Sequence, residues 1–276
     1  MKEHYFICYD AGTNGNFVAS LIRTMADSTY YDKYGRFTSN GSCDHMSGGM
    51  RLSYDYAFSK FGHSIYPECE ENLSILTGAL ENPEDTYEKF IMPHERSFDF
   101  DITALHYVRS NSINKFLEYN TKVVYITYTH QDLNLIAHNY TYKLIEKERE
   151  GELDKFNFFK QILADAYRFE SLRKLEISIQ EKIPLSDLSQ SILDDIIFAY
   201  KKELIVKNSF KDYNLIKNND PKKFIELPFR LMYSDTEKTL ELLQNFTNME
   251  INDSTRILYS DYMSAQEPIL NRIKNR

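Results

Sequence analysis

The residues best suited to chemistry cluster near the start of the chain, in YDAGTNGNFVASLI, Tyr9 to Ile22. Gly12, Thr13, Asn14, Gly15 and Asn16 form a small-residue loop, and Phe17 opens the segment after it. Before the loop, HYFICY is a mostly apolar run that reads as a buried strand. After it, Phe17, Val18, Leu21, Ile22 and Met25 recur at helical spacing. A strand, a glycine-containing loop and a helix form the layout that holds phosphate groups. Glycine lets the backbone turn tightly and approach a ligand, and successive N–H groups at the helix N-terminus then face an anion. The Walker A pattern is absent: the glycine spacing differs, and no Lys-Ser/Thr pair follows to meet the β/γ-phosphates and Mg²⁺. An ordinary ATPase or kinase loses support accordingly. The same residues also suit a plain β–α turn, with Gly and Asn used for backbone freedom.

Other chemistry-bearing residues lie at the ends of two further apolar runs. FDFDITALHY ends near His106, and Arg109 follows three residues later. His106 has the near-neutral titration that proton transfer needs, and equally the profile of a strand-end histidine bonded for structure. Arg109 could reach an anion over the same sheet edge, or be solvated; Arg51 and Lys143 are further cations with no motif behind them. After KVVYITY come Thr129, His130, Asp132, His138 and Asn139. Ligands of open α/β sheets bind outside the carboxyl ends of strands, which places Thr129 and His130 well. Asp132 reads better as a helix cap than as a catalytic acid. Spacing leaves open whether His138 and Asn139 face a cleft or solvent. Cys43, His45, His63 and Cys69 match no zinc spacing, so no metal is expected. Tyr54, Tyr56, Phe58 and Phe61 suit an apolar acceptor or, more commonly, a core.

Elements that could position these residues alternate along the chain. Strands are expected at His4–Tyr9, Phe98–Tyr107 and Lys122–Tyr128, the last being β-branched and aromatic. Helices are expected at Asn16–Met25, within RSNSINKFLEYN, and from Gln131 to Arg149. Such alternation favours a parallel sheet with helices on its faces. Residues 27–50 read as a long loop, and Met50–Phe61 has a helical pattern. From residue 150 to 223 the pattern is charged and helical, with stretches at Asp154–Glu181 and Ser186–Lys207, which reads as a helical insertion or cap. Phe224–Tyr233 reads as a last strand with Pro228 at an edge or bulge. Thr236–Phe246 and Asn252–Arg276 read as closing helices, capped by Asp235 and by Asn252 or Asp253.

Composition bounds the rest. The chain has 276 residues, 42% of them hydrophobic, which suits one elaborated α/β domain over residues 1–276 with a sizeable core. A net charge of −8 disfavours non-specific nucleic-acid binding, which needs a basic face. No apolar run approaches the roughly 20 residues of a membrane span, and the N-terminus shows no signal pattern. An odd cysteine count argues against a disulfide framework. The expectation is a soluble, cytoplasmic protein.

Three stretches together resemble the sulfotransferase-like P-loop proteins, with the divergent virus-encoded members nearest in character. They are DAGTNGNFVASLI (Asp10–Ile22), ITALHYVRSNSINKFLEYNTKVVYITYTHQDLNLIAHNYTYK (Ile102–Lys143) and LPFRLMYSDTEKTLELLQNFTNMEINDSTRILY (Leu227–Tyr259). The resemblance implies a three-layer P-loop sheet. It also implies transfer of a sulfuryl group from PAPS to a hydroxyl or amine of a small molecule, glycan or lipid. Thr13, Asn14, Gly15 and Asn16 fall where that family holds the donor phosphosulfate, and His106 falls at its general base. Departures accompany the likeness. Ala11 stands where the family has its loop Lys. Tyr128 stands where it has its 3′-phosphate Arg, and about Ile136 where it has a helical Ser. The late Arg-Lys-Gly motif is not visible. Two other readings stay open: another nucleotide-dependent P-loop transferase or kinase, and a non-enzymatic binding protein on the same scaffold.

Overall fold

The computed structural model describes residues 3–10, 12–28, 100–106, 113–114, 116–149, 190–206 and 220–274. Four strands form one sheet: β1 (Glu3–Tyr9), β2 (Phe100–His106), β3 (Thr121–Thr127) and β4 (Phe224–Pro228). Their order is β2-β1-β3-β4, and every pairing is parallel. The helices are α1 (Gly15–Ala26), α2 (Leu133–Arg149), α3 (Gln190–Val206), α4 (Leu231–Ser234), α5 (Thr236–Thr247) and α6 (Asp253–Lys274). The parallel sheet expected from the alternating pattern is therefore present. All but the first two residues of the expected loop at 27–50, the patterns at 50–61 and 154–181, and the cysteines at 43 and 69 lie outside the described residues.

Two compact units divide these elements. The first holds the four strands, α1, the helical residues near 113–116, α4, α5 and α6 as far as Met263. The second holds the chain from Thr129 through α2 and α3, with the end of α6. In the second unit α2 and α3 pack through the stacked rings of Tyr140 and Tyr200, with centroids 4.2 Å apart. Lys201 Nζ on α3 donates to Asn134 Oδ1 on α2 at 3.4 Å.

In the first unit, central position buries β1 on both faces. Side chains alternate across a strand, so Phe6 and Cys8 face one way and Tyr5, Ile7 and Tyr9 the other. All five are buried. On the Phe6 face, Cys8, Val123 and Tyr125 pack with Ile113, Phe116 and Leu117. Phe6 stacks on Phe116 at 4.2 Å. On the Tyr5 face, Lys122 Nζ sits 3.3 Å from Glu3 Oε1 and donates to the Phe246 carbonyl at 3.3 Å. It also lies over the Tyr5 and Phe246 rings at 5.4 and 5.7 Å. Tyr5 donates its hydroxyl to Glu3 Oε2 at 2.6 Å. Burial, with the Glu3 carboxylate adding to it, pushes the Tyr5 phenol well above its usual range. This cluster ties the amino ends of β1 and β3 to the end of α5.

Helix α1 is held from both sides of its length. Arg23, buried within it, donates through Nη2 to the Ile102 carbonyl of β2 at 3.3 Å. Asn252 Nδ2 donates to the Thr24 carbonyl at 2.7 Å, while Asn252 Oδ1 accepts from Thr255 N at 2.9 Å. One side chain thus caps α6 and joins it to the end of α1. Asp235 caps α5, accepting from Lys238 N, as its residue type suggested.

One expected element changes. The strand read over Phe224–Tyr233 ends at Pro228, and Leu231–Ser234 is a short helix instead. Pro228 pairs with Thr127 at a position whose N–H would face away from β3, so its missing donor breaks no bond to that strand. The Phe229 N–H makes one further bond to the Thr127 carbonyl at 2.7 Å, and the Arg230 carbonyl then accepts from Tyr233 and Ser234 N–H at 3.0 Å each. The apolar run RLMY is spent on a turn of helix, not on more sheet.

Two outcomes test this core. Burial raises the Cys8 thiol pKa, so a Cys43→Ser/Cys69→Ser variant should resist a thiol reagent in buffer and react fully in denaturant. Phe116→Ala should lower stability by about 3–5 kcal/mol in denaturant titration.

Candidate functional site

The carboxyl ends of β1, β2 and β3 converge on the loop between β1 and α1. Tyr9 and His106 are register partners at the ends of β1 and β2. Tyr128 follows β3 directly, on the other side of β1. Going along the chain, β2 lies to one side of β1, and β3 leads on to β4 at the other side. Carboxyl ends at such a reversal of direction are where open α/β sheets take ligands.

The loop is built from the backbone outward. The Asp10 carbonyl accepts from Thr13 N at 3.0 Å and from Thr13 Oγ1 at 2.7 Å. Gly12, third residue of this turn, has φ 86, a conformation that glycine adopts without strain. Asn14 follows at φ 63 and ψ 36, also left-handed, and is the N-cap of α1. Its carbonyl accepts from Phe17 N at 3.0 Å. Its side chain makes no cap bond. Nδ2 instead donates to the Tyr233 hydroxyl at 2.6 Å. An Asn at this position ordinarily accepts a first-turn N–H through its side chain; here that side chain is turned toward α4.

Aromatic residues frame the loop. A Cβ on Gly15 would lie 2.2 Å from Tyr9 Cδ1 and 2.3 Å from Cγ, so only glycine allows α1 to begin against this ring. Tyr9 also donates its hydroxyl to Asn16 Oδ1 at 3.1 Å. Tyr128 donates its hydroxyl to Asp10 Oδ2, joining the end of β3 to the start of the loop. Phe17 stacks on Tyr262 at 3.6 Å and meets Tyr259 edge-on at 5.1 Å. Burial raises the Tyr259 phenol pKa, and its hydroxyl donates to the Met232 carbonyl at 2.7 Å. The charge in the loop is negative: Asp10 is present, and no Lys or Arg occurs from Tyr9 to Ile22.

The structure brings Gly12, Thr13, Asn14, Gly15, Asn16, Phe17 and Tyr128 together in one unit. Thr13 and Phe17 are buried, with Phe17 committed to α6 packing. His106 closes β2; its imidazole lies outside what is described. Thr129 and His130 belong to the second unit. There Thr129 N and Oγ1 both donate to Asp132 Oδ2 at 2.8 Å, and His130 is exposed. The Asp132 carbonyl accepts from Ile136 N while its carboxylate reaches back to Thr129. Asp132 therefore stands at the cap position, and its described side-chain bonds run backward along the chain. His138 is buried, with Nδ1 2.7 Å from the Asn134 carbonyl, as in a structural histidine. Arg51 and Arg109, and the Lys143 side chain, lie outside the described residues. Among the described residues no group of three or more His, Cys, Asp or Glu could hold a metal.

Sequence reading missed Tyr9, Asp10, Tyr233 and Tyr262. Asp10 and Tyr9 border the loop, and their partners could have been sought there. Tyr233 lies 219 residues from Asn14, and no local pattern announces that contact.

The Tyr9–Gly15 packing is directly testable. Gly15→Ala should destabilise the protein by about 1–3 kcal/mol, because ring atoms near the Tyr9 backbone cannot swing clear. Combining it with Tyr9→Leu should recover part of that loss in thermal melts.

No family model matches the chain, and no curated protein does. Among solved structures, it is similar to retinol dehydratase in complex with androsterone and inactive cofactor PAP. That likeness has a TM-score of 0.47 and 11% identity, over 94% of this chain and 64% of that one. The chain thus spans 64% of the length of that protein. It is also similar to the sulfotransferase domain from the curacin biosynthetic pathway, with a TM-score of 0.37 and 6% identity, over 92% of this chain and 77% of that one. At TM-scores of this size, neither likeness carries weight for fold or function.

Proposed function

We propose that the β1–α1 loop binds the phosphate end of an anionic donor, and that the chain is a sulfotransferase-like enzyme using PAPS. The observation that carries this reading is the N-cap of α1. A left-handed Asn14 directs its side chain to Tyr233, away from the first turn, at the carboxyl end of a central parallel strand. Backbone N–H groups and a helix N-terminus at such a place suit an anion. The motif likeness of the three quoted stretches supports the choice of donor.

In this reading the sulfuryl group passes in line from the donor phosphate to an acceptor hydroxyl or amine. The acceptor O–S or N–S bond forms as the bond from sulfur to the phosphate oxygen breaks, and PAP leaves. His106 takes the acceptor proton. Its strand position beside Tyr9 supports that role, since it borders the loop across one pair of strands. Such a transfer asks for alignment and for donors on the leaving oxygen. Tyr128, through Asp10, fixes the start of the loop from the β3 side. Small-molecule, glycan and lipid acceptors all fit this chemistry.

A second reading has an observation in its favour. The loop carries Asp10 and no Lys or Arg, and Ala11 replaces the lysine that would balance leaving-group charge. That balance suits a binding protein that keeps the scaffold without the reaction.

Calorimetric titration with PAP, with ATP plus Mg²⁺ alongside, separates these readings from a kinase. A PAP dissociation constant near micromolar, about −8 kcal/mol, is expected, with ATP weaker. His106→Ala should leave PAP affinity unchanged and cut sulfuryl transfer by about 10²–10⁴-fold. Binding without turnover in either protein favours the non-enzymatic reading. Absence of PAP binding overturns the donor assignment.

A further inference from the structure

We propose that Tyr233 is a positioning residue for the β1–α1 loop, its hydroxyl holding Asn14 in the left-handed conformation that turns the loop backbone toward a phosphate. The functional part of this inference rests on the anion-binding reading above. Asn14 is not a glycine; asparagine enters the left-handed region more readily than other L-residues, and a side-chain bond fixes it there. Nδ2 of the buried Asn14, 2.6 Å from the Tyr233 hydroxyl, supplies that bond. Tyr233 is itself located by elements other than the loop. Its ring meets Phe229, just past β4, edge-on at 5.0 Å. Its hydroxyl lies 3.0 Å from the Tyr262 hydroxyl of α6. Tyr262 in turn stacks on Phe17 in the first turn of α1. The loop is therefore referenced at Asn14 and at Phe17 to the same pair of tyrosines. The hydroxyl is the operative group, because phenylalanine would keep the ring packing and lose the hydroxyl's bonds to Asn14 and to the Tyr262 hydroxyl.

A double-substitution cycle tests this. Tyr233→Phe should weaken PAP binding about tenfold, with a change in melting temperature too small to suggest unfolding. Asn14→Gly adopts positive φ without a side-chain anchor. In that background the same Tyr233→Phe change should alter PAP affinity less than about twofold. Equal losses in both backgrounds overturn the proposal. Selective ¹³C,¹⁵N-asparagine labelling gives a readout that needs no ligand. The Asn14 resonance, identified by its loss in Asn14→Gly, should show left-handed Cα and Cβ shifts that move in Tyr233→Phe. An unmoved resonance overturns the proposal as well. If the wild-type protein binds no PAP, the donor assignment fails, and the Asn14 resonance alone decides the positioning role. Should Tyr233→Phe not fold, the wild-type Asn14 side-chain amide decides: its Nδ2 protons, identified by their loss in Asn14→Gly, should be protected from solvent exchange, and a freely exchanging amide refutes the role.

Discussion

The bond from Asn14 Nδ2 to the Tyr233 hydroxyl joins the first turn of the chain's first helix to a segment more than two hundred residues later. It does so between a buried asparagine and a half-buried tyrosine. Much of the first unit depends on that junction. Turning the Asn14 side chain toward α4 lets α1 begin with a left-handed cap. Beginning there brings Gly15 against the Tyr9 ring, which no other residue type would allow. The β3 side closes onto the same loop through Tyr128 and Asp10.

The two ends of the sheet use charge differently. At the amino ends, Lys122 is surrounded by the Glu3 carboxylate, two aromatic faces and a helix-terminal carbonyl. This is a compensated, half-buried cation with a structural task. At the carboxyl ends, the described loop offers hydroxyls, amides and one carboxylate, and its positive partial charge comes from backbone dipoles. An anion there would be held by N–H donors more than by full charges. Such a site favours geometry over raw attraction, and it tolerates a chain of net charge −8.

Among the described residues, helix ends take part in tertiary bonds. Asn252 caps α6 and at the same time bonds the Thr24 carbonyl. Asp235 caps α5 while its backbone N–H closes α4 onto the Leu231 carbonyl. Each residue satisfies a terminus that would otherwise cost free energy and fixes where the next element starts. The connection from β4 through α4 and α5 is accordingly short and tightly specified, which is what places Tyr233 against Asn14.

The sequence by itself located three strands and the start of a fourth, favoured their parallel pairing and gave the helices of α1, α2, α5 and α6. Apolar β-branched and aromatic runs such as VVYIT suit a buried strand, and helices between such runs favour parallel pairing. It also pointed to the cap at Asp235 and to one at Asn252 or Asp253, and the structure takes Asn252. The glycine loop was legible as a loop for a local reason, its residue types. What only the tertiary structure decided concerns contacts between distant segments. Burial of His138 follows from which side of α2 is covered, and periodicity alone does not say. The helix at Leu231–Ser234 replaced the end of an expected strand, its turn closed by Tyr233 and Ser234 N–H on the Arg230 carbonyl, against the apolar pattern of the residues there. The pairing of Asn14 with Tyr233, of Tyr128 with Asp10 and of Tyr262 with Phe17 arises where strand ends and helix starts meet in space. No spacing along the chain encodes those meetings, because the separation that matters to a hydrogen bond is measured in ångströms and not in residues.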